Sequence, residues 1–347
     1  MDPIPHSKPT LGKKEIRAVS EVIASGHIAQ GAVVSRFEQS VTQEFGIRGA
    51  VACSSGTSAL HLVFLAMDIG AGDEVIFPSY VCSALLNAVR YVRATPVLAE
   101  VDPLTHNIDP DDVKKRLSGS TKAIVVPHLF GLPADLSALT SFGVPVIEDC
   151  AQAVGAEYEG RKTGTLGHAA VLSFYATKVM TTGEGGMVIS NSREFMDRIR
   201  DLRDYDQKND PVVRYNYKMT DIQASIGLCQ FEQLPNFIRM RKKIAHEYCA
   251  AFEKFPVDLP LKGEGHIYYR YIIGMRKDVK PVIDALEGKG IMCALPVYMP
   301  IHRYLKQSGY PVTERIWRES LSIPIYPSLK QEEIRRITHD VSEILGG

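Results

Sequence analysis

Lys178 is the side chain of this sequence best suited to covalent chemistry, because of the residues around it. It follows a short apolar run that ends at Phe174, and the glycine-rich turn Gly183-Glu184-Gly185-Gly186 comes shortly after it. Asp149 ends another apolar run upstream. Schiff-base chemistry needs an amine to hold an aldehyde and a carboxylate to keep a pyridine nitrogen protonated. The pair therefore indicates a pyridoxal phosphate (PLP) site, although a lone lysine after a strand is more often a solvated surface charge.

The turn Ser55-Gly56-Thr57 is the second chemical feature, because an apolar helical run over residues 58–67 follows it at once. The first N–H groups of a helix have no partner within the helix, and the helix dipole favours an anion there. The turn is therefore a candidate site for a phosphate. Taken alone, the same three residues are more often a plain helix cap.

Short apolar runs alternate with helical patterns from Val51 onwards, and these elements must position both features. Fully apolar strands interleaved with helices indicate a mostly parallel sheet covered on both faces. Ligands bind at the carboxyl ends of such strands, where Asp149, Ser173 and the Ser55-Gly56-Thr57 turn would lie. Strands are predicted at 51–53, 74–77, 95–98, 123–127, 144–147, 170–174 and 186–190, and helices at 13–25, 34–45, 58–67, 83–90 and 110–117.

The pattern of the chain changes after Met219. A helical stretch leads to about Phe231, Pro235 interrupts it, and a second helix continues to Phe255. A strand signal at 268–274 and helical patterns at 279–289 and 331–345 follow. We therefore predict a large domain of residues 1–235 and a smaller C-terminal α/β domain of residues 236–347.

Composition limits the class of protein. The chain has 347 residues and a mass of 38.4 kDa, and 40 Lys and Arg residues balance 40 Asp and Glu residues. This balance argues against a nucleic-acid or membrane-surface partner, and no apolar run approaches the roughly 20 residues that span a bilayer. The six cysteines form no CxxC pair, which argues against a metal site or disulfide framework and predicts a cytoplasmic location.

Over nearly its whole length the sequence resembles the DegT/DnrJ/EryC1/StrS family, sugar aminotransferases that are fold-type I PLP enzymes. The order and spacing of several segments carry this resemblance. The segments are Ile23-Ala24-Ser25-Gly26-His27-Ile28-Ala29-Gln30-Gly31, Ser55-Gly56-Thr57-Ser58-Ala59-Leu60, Gly72-Asp73-Glu74-Val75-Ile76, Glu148-Asp149-Cys150-Ala151-Gln152, Ser173-Phe174-Tyr175-Ala176-Thr177-Lys178 and Asn216-Tyr217-Lys218-Met219-Thr220-Asp221. The resemblance implies a fold-type I α/β transferase with a mostly parallel sheet flanked by helices.

The resemblance also implies roles for particular residues in binding PLP. Gly56 and Thr57 match main-chain donors to the cofactor phosphate, and Ser173 matches a serine whose hydroxyl reaches the same group. Gln152 matches a glutamine near the phenolic oxygen of the cofactor. Asn216 matches an asparagine that reaches the phosphate bound by the partner subunit. A homodimer with composite active sites is therefore expected.

The sequence departs from the family pattern at two positions. Lys218 stands where the family usually has Arg, and Cys82 stands where an aromatic residue generally stacks on the pyridine ring. Either Tyr80 performs the stacking or the ring is covered less completely. Tyr217 and His302 are expected at the substrate, although His302 is equally consistent with a surface histidine after a proline turn.

The implied reaction is transamination from glutamate, or glutamine, to a nucleotide-diphosphate keto-sugar through a Lys178 Schiff base and pyridoxamine phosphate. A cyclitol aminotransferase, or a related PLP enzyme, shares the same resemblance. A regulatory protein that binds PLP or a sugar nucleotide without turnover is the alternative from another class. Sugar 3-dehydratases of the family carry His at the lysine position, so Lys178 argues against that activity.

Overall fold

A mostly parallel sheet forms the centre of the molecule. The computed structural model describes residues 2–263 and 265–346, and within them seven strands make this sheet in the order β1-β9-β8-β5-β4-β2-β3. Only β9 runs against its two neighbours. The described residues form eleven strands, of which β6, β7, β10 and β11 lie outside this sheet. Their bounds are β1 (Gly49–Cys53), β2 (Glu74–Pro78), β3 (Thr95–Ala99), β4 (Thr121–Pro127), β5 (Val146–Asp149), β6 (Glu157–Tyr158), β7 (Arg161–Lys162), β8 (Ala169–Ser173), β9 (Gly186–Ser190), β10 (Tyr271–Gly274) and β11 (Ser320–Ile323).

Helices cover both faces of the sheet, and most residues of its central strands are apolar and buried. In β1, Val51 and Cys53 pack in one core, whereas Ala50 and Ala52 pack in the core on the opposite face. The helices are α1 (Lys13–Ser25), α2 (Ala32–Phe45), α3 (Gly56–Ala66), α4 (Ser83–Tyr91), α5 (Pro110–Arg116), α6 (Leu136–Thr140), α7 (Arg193–Arg203), α8 (Asp221–Phe252), α9 (Lys280–Gly288), α10 (Ile301–Tyr304), α11 (Pro311–Glu319) and α12 (Gln331–Gly346). The predicted α/β class with its mostly parallel sheet is confirmed.

The predicted interruption at Pro235 is wrong, because α8 continues through it from Asp221 to Phe252. A proline inside a helix removes one backbone hydrogen bond and crowds the preceding turn. Here Pro235 is exposed, while Leu234 and Phe237 on either side of it are buried. Their packing holds the helix together across the proline.

Helix α8 also joins two hydrophobic cores. Its first half packs against the large sheet through Ala224 and Leu234. Its second half, including Tyr248 and Phe252, packs in a separate core with the β10–β11 pair, α9 and α12. The division at 235/236 stays a prediction, and the chain ends Met1 and Gly347, like Glu264, lie outside the described residues.

No helix in the part of the chain that the structure describes combines the length and the apolar character needed to cross a membrane.

Candidate active site

Lys178 lies in the turn between β8 and β9. Strand β8 ends at Ser173, and the Lys178 N–H donates to the Tyr175 carbonyl at 2.9 Å. Its side chain is half-buried, with Nζ 5.5 Å from the centroid of the Tyr269 ring. The turn therefore places the amine at the carboxyl edge of the sheet, as predicted from the apolar run before it.

Asp149 ends β5, the strand beside β8, and only 7% of the residue is exposed. Burial raises the pKa of its carboxyl, because water no longer solvates the charge. The Ala151 N–H, which donates to Oδ1 at 3.0 Å, and the charges of Lys178 and His128 act in the opposite direction. Within the described part of the chain this is the one hydrogen bond to the buried carboxyl, which is therefore suited to receive a further, positively charged N–H group.

The neighbouring Glu148 anchors this end of β5. Its carboxylate accepts hydrogen bonds from the backbone N–H groups of Gly164, Leu166 and Gly167 at 2.7 to 2.8 Å. His128 donates from Nε2 at 3.1 Å, because its Nδ1 accepts from the Ala134 N–H. Burial would raise the pKa of Glu148, but these donors outweigh it and lower the pKa. These hydrogen bonds to the Glu148 carboxylate hold the end of β5 in place.

The N-terminus of α3 lies beside the end of β8. Ser55 caps the helix by accepting the Ser58 N–H at 3.0 Å. No hydrogen bond to the Gly56 or Thr57 N–H occurs among residues 2–263 and 265–346. A Cβ on Gly56 would lie 2.9 Å from the Ser173 Cβ, so glycine allows this close approach. Two free backbone donors and the Ser173 hydroxyl therefore meet at one point.

Gln152 and Phe130 link two loops at the same edge of the sheet. Gln152 Oε1 accepts the Phe130 N–H at 2.8 Å, so the amide NH₂ remains to donate elsewhere. Phe130 has a φ of 59°, a conformation that non-glycine residues rarely adopt. Such strained residues cluster at functional sites, and this one contacts Gln152 in the loop that follows Asp149.

The segment around Asn216 gives its three residues different surroundings. Asn216 is exposed and has no hydrogen bond to any described residue of its own chain. The Tyr217 hydroxyl is 3.1 Å from His61 Nδ1, and the backbone carbonyl of Tyr217 accepts the Ser54 N–H. Lys218 forms ion pairs with two aspartates, Asp204 and Asp206. Both ion pairs involve single contacts of the ammonium group, so lysine can make them in place of the arginine that is usual in the family. Roles for Asn216 and Tyr217 in binding stay predictions.

The burial of Tyr80 and Cys82 bears on whether Tyr80 stacks on the pyridine ring or the ring is covered less completely. Tyr80 is fully buried, with its ring edge-on to Phe130 and His106 at 6.3 and 6.1 Å. Cys82 is exposed to solvent, yet the protein around it raises the pKa of its thiol, and the charges of Lys178 and Asp149 act on it. Cys82 is therefore an exposed residue within reach of the charges of Lys178 and Asp149, whereas Tyr80 belongs to the core. These contacts favour the less complete covering of the ring.

His302 does not reach open space. Only 3% of the residue is exposed, and both ring nitrogens have hydrogen-bond partners, Ser79 and Glu314. It is not the surface histidine that a proline turn could also predict. Its predicted contact with the substrate has no support from these surroundings and stays a prediction.

Tyr269 is a residue beside Lys178 that the sequence did not indicate. It is buried, and the Arg270 guanidinium lies 5.5 Å from the centroid of its ring. Burial alone would raise the pKa of this phenol. The charges of Lys178 and Arg270 and a hydrogen bond with Thr177 outweigh burial and lower the pKa to about 8. A tyrosine in a predicted strand reads as ordinary core, so no sequence signal marked it.

The comparison with protein families decides the identity of the chain. The model of the DegT/DnrJ/EryC1/StrS aminotransferase family matches residues 9–342. The chain belongs to this family. The fold and family expected from the sequence are therefore confirmed, and the chain is a PLP-dependent sugar aminotransferase.

Individual relatives of this aminotransferase resemble it from end to end. A GDP-perosamine synthase from Escherichia coli O157:H7 is 34% identical over 357 residues, which cover 98% of each protein. The aminotransferase TlmJ from Streptoalloteichus hindustanus superposes with a TM-score of 0.95 at 32% identity, over 99% of each chain. The PLP form of Spr1654 from Streptococcus pneumoniae gives a TM-score of 0.93 at 25% identity, also over 99% of each. PLP is thus the cofactor of the family and of this chain.

The residues of this site fit PLP. The free N–H groups of Gly56 and Thr57 and the Ser173 hydroxyl suit its phosphate. These three groups form a cradle for the phosphate. A Cβ on Gly186 would lie 2.3 Å from the Ser55 carbonyl, so the cradle requires glycine at this position. Asp149 is a buried carboxyl that a pyridinium N–H would stabilise in its ionised form.

Proposed function

We propose that this aminotransferase transfers an amino group from glutamate, or glutamine, to a keto-sugar carried on a nucleotide diphosphate. The end-to-end likeness to GDP-perosamine synthase supports this substrate class, because the name describes a compound linked to GDP. The neighbouring positions of Lys178, Asp149 and the free α3 N-terminus support the chemistry. Each of these features lies at the carboxyl edge of the sheet, where ligands bind in this class of fold.

Lys178 is the proposed covalent and proton-transfer residue. When bound, PLP supplies the aldehyde for a Schiff base and a ring that withdraws electrons. Lys178 Nζ would be the amine that holds this aldehyde, and as a free amine it would take the proton from the α-carbon of the amino donor. Its half-buried position beside Tyr269 limits the directions in which Nζ can move.

Asp149 and the α3 N-terminus are proposed to hold the two ends of the cofactor. Asp149 faces the ring nitrogen and keeps a proton on it, since the ionised carboxylate gains a charged donor there. Gly56 and Thr57 donate their backbone N–H groups to the phosphate, together with the hydroxyl of Ser173. Gln152 is proposed to donate its free amide N–H to the phenolic oxygen.

Asn216 is proposed to serve the site of a second chain, so that the working unit is a homodimer. Its side chain is exposed and has no hydrogen-bond partner among residues 2–263 and 265–346 of its own chain, which supports this role. Two apolar residues just before it, Val212 and Val213, are 55% and 70% exposed. Exposed apolar side chains beside an unpaired polar one are typical of a surface that another chain covers.

A two-stage assay tests the proposed reaction. Glutamate or glutamine added to the PLP-loaded protein should change the absorbance of the bound cofactor. A panel of nucleotide-linked keto-sugars should then restore it, with nitrogen from labelled donor found in the sugar product. Lys178→Ala is the matched control and should give neither change.

The outcomes separate the alternatives. Restoration by a keto-cyclitol, and by none of the nucleotide-linked sugars, would identify a cyclitol aminotransferase. A cofactor spectrum that neither amino donor changes would contradict the proposed half-reaction. A preference between glutamate and glutamine follows from the rates of the first stage.

A further inference from the structure

His302 connects two segments that lie far apart in the sequence. Its Nδ1 is 2.6 Å from Ser79 Oγ, and its Nε2 is 2.7 Å from Glu314 Oε1. Ser79 is completely buried and His302 nearly so. The imidazole therefore bridges the segment after β2 and helix α11, which the predicted domain division assigns to different domains.

The hydrogen bonds around Ser79 have a consistent direction. The backbone N–H of His302 donates to Ser79 Oγ at 3.3 Å, and the backbone N–H of Ile301 donates to the Ser79 carbonyl at 2.8 Å. Because Oγ already accepts, its own hydrogen is available for His302 Nδ1, and Nε2 then carries the hydrogen donated to Glu314. Ser79 is thus bound to the start of α10 through both its side chain and its backbone.

The orientation of the imidazole is fixed from the other side. Arg303 holds Glu314 with Nε and Nη2 each 2.6 Å from a carboxylate oxygen, which is the strong bidentate geometry. These bonds lower the pKa of Glu314 to about 2, so it stays ionised. The Arg303 guanidinium also lies 4.0 Å from the centroid of the Trp317 ring. The Glu314 carboxylate, which Arg303 holds in place, therefore fixes the orientation of the His302 ring.

The other end of the connection leads to the cofactor cleft. Ser79 begins the segment of residues 79–82, which ends at Cys82 immediately before α4. Tyr80 and Val81 between them are buried. Cys82 alone of the four is exposed. The Tyr80 ring lies edge-on to Phe130, whose N–H donates to Gln152 at the edge of the sheet that carries Asp149, and the charge of Lys178 acts on the Cys82 thiol. A shift of Ser79 would therefore be passed on to the residue that faces the cleft.

We propose that His302 is a positioning residue, which fixes the 79–82 segment and hence the Cys82 side of the cofactor cleft against α10 and α11. A small thiol offers little surface with which to hold a ring, so the position of its backbone matters more than it would for a stacked aromatic side chain. The proposal concerns the PLP site and does not depend on which sugar is the substrate.

Two substitutions of His302 separate its two hydrogen bonds. His302→Asn places an amide near the Nδ1 position and can keep the contact with Ser79. His302→Gln extends the amide towards Glu314 and gives up the contact with Ser79. Ser79→Ala removes the same contact from the other side, and it leaves Glu314 paired with Arg303.

The measurements are the rate at which iodoacetamide modifies Cys82 in the apoprotein, followed by peptide mass spectrometry, and the dissociation constant for PLP. His302→Gln and Ser79→Ala should each raise both quantities by about fivefold to tenfold, the range expected for one lost hydrogen bond. His302→Asn should stay within about twofold of the wild type. The partly exposed Cys229 is the internal control, and its rate should not change.

Arg276→Ala, which removes an exposed ion pair with Asp258, is the matched control variant and should leave both quantities unchanged. Wild-type values in His302→Gln and Ser79→Ala would overturn the proposal. Equal effects in His302→Asn and His302→Gln, or a parallel rise at Cys229, would mean that His302 only contributes to general packing. Since neither readout requires turnover, failure of the sugar assay cannot be mistaken for failure here.

Discussion

At the scale of single residues, Asp149 illustrates how the fold prepares a group for a ligand. Burial raises the pKa of its carboxyl, so the ionised form is less stable in the folded protein than in water. A protein with such an acid loses stability as the pH rises from the pKa of the acid in the unfolded chain through its higher pKa in the folded protein. The apoprotein therefore carries an electrostatic cost at neutral pH that a cationic ligand would remove.

Asp149→Asn should separate the two consequences of this burial. The amide cannot stabilise a proton on the ring nitrogen, so the transamination rate should fall by at least about 100-fold, or roughly 2.7 kcal/mol of barrier. The apoprotein should unfold at the same or a higher temperature at neutral pH, since the buried charge is gone. Steady-state kinetics and thermal unfolding of the apoprotein measure the two effects. A rate within a few-fold of the wild type would show that Asp149 does not face the ring.

Tyr269 should ionise at a lower pH than an ordinary tyrosine. With its pKa lowered to about 8, an ultraviolet titration of the apoprotein should show a tyrosinate signal centred near pH 8. Because the phenolate is favoured in the folded state, this group adds stability as the pH rises from about 8 towards the ordinary value near 10. Tyr269→Phe should remove the signal.

Tyr268→Phe is the neighbouring control and should keep it, since burial raises the pKa of Tyr268. A signal near pH 8 that survives in Tyr269→Phe would assign the ionisation to another residue.

At the scale of elements, the cofactor cradle depends on how closely α3 approaches β8 and β9. A Cβ on Gly186 would lie 2.3 Å from the backbone of Ser55, a distance that real contacts do not show. Gly186→Ala must push the α3 N-terminus away from Ser173. We expect a loss of roughly 1–3 kcal/mol in the free energy of unfolding and a weaker affinity for PLP.

Chemical denaturation and a PLP titration measure both effects of Gly186→Ala. Gly119→Ala is the control, because a Cβ there would meet no atom within 4 Å. Unchanged affinity in Gly186→Ala would mean that the phosphate does not depend on the position of α3.

The elements also show where sequence patterns succeed. The strands of the sheet were predictable because buried strands are short apolar runs with clear boundaries, such as β9 at 186–190. Pro235 was misread because a local rule cannot weigh the packing of distant residues against one lost hydrogen bond. Strand β5 begins at Val146, two residues later than predicted, because Pro145 cannot donate to the ladder.

At the scale of the whole molecule, the proposed homodimer can be tested by complementation. Lys178→Ala and Asn216→Ala chains should each be inactive as homodimers. After mixing, a heterodimer carries both lesions in one site and none in the other. Random exchange should restore up to about a quarter of the wild-type activity, since half of the dimers are mixed and each has one intact site.

Subunit exchange must be shown separately, for example with two differently tagged chains. Exchange without any recovery of activity would mean that Asn216 acts in its own chain or has no part in the site.

The amino-acid sequence was enough to predict the family, the α/β class and the group of residues around Lys178 and Asp149. Those features follow from local patterns, because apolar runs, glycine turns and the order of polar residues are written along the chain. The folded molecule alone showed the surroundings of Tyr269 and His302, the burial of Tyr80 and the exposure of Cys82. Burial and the distance between charges depend on segments separated by many residues, such as Ser79 and His302. No pattern within either segment encodes that meeting.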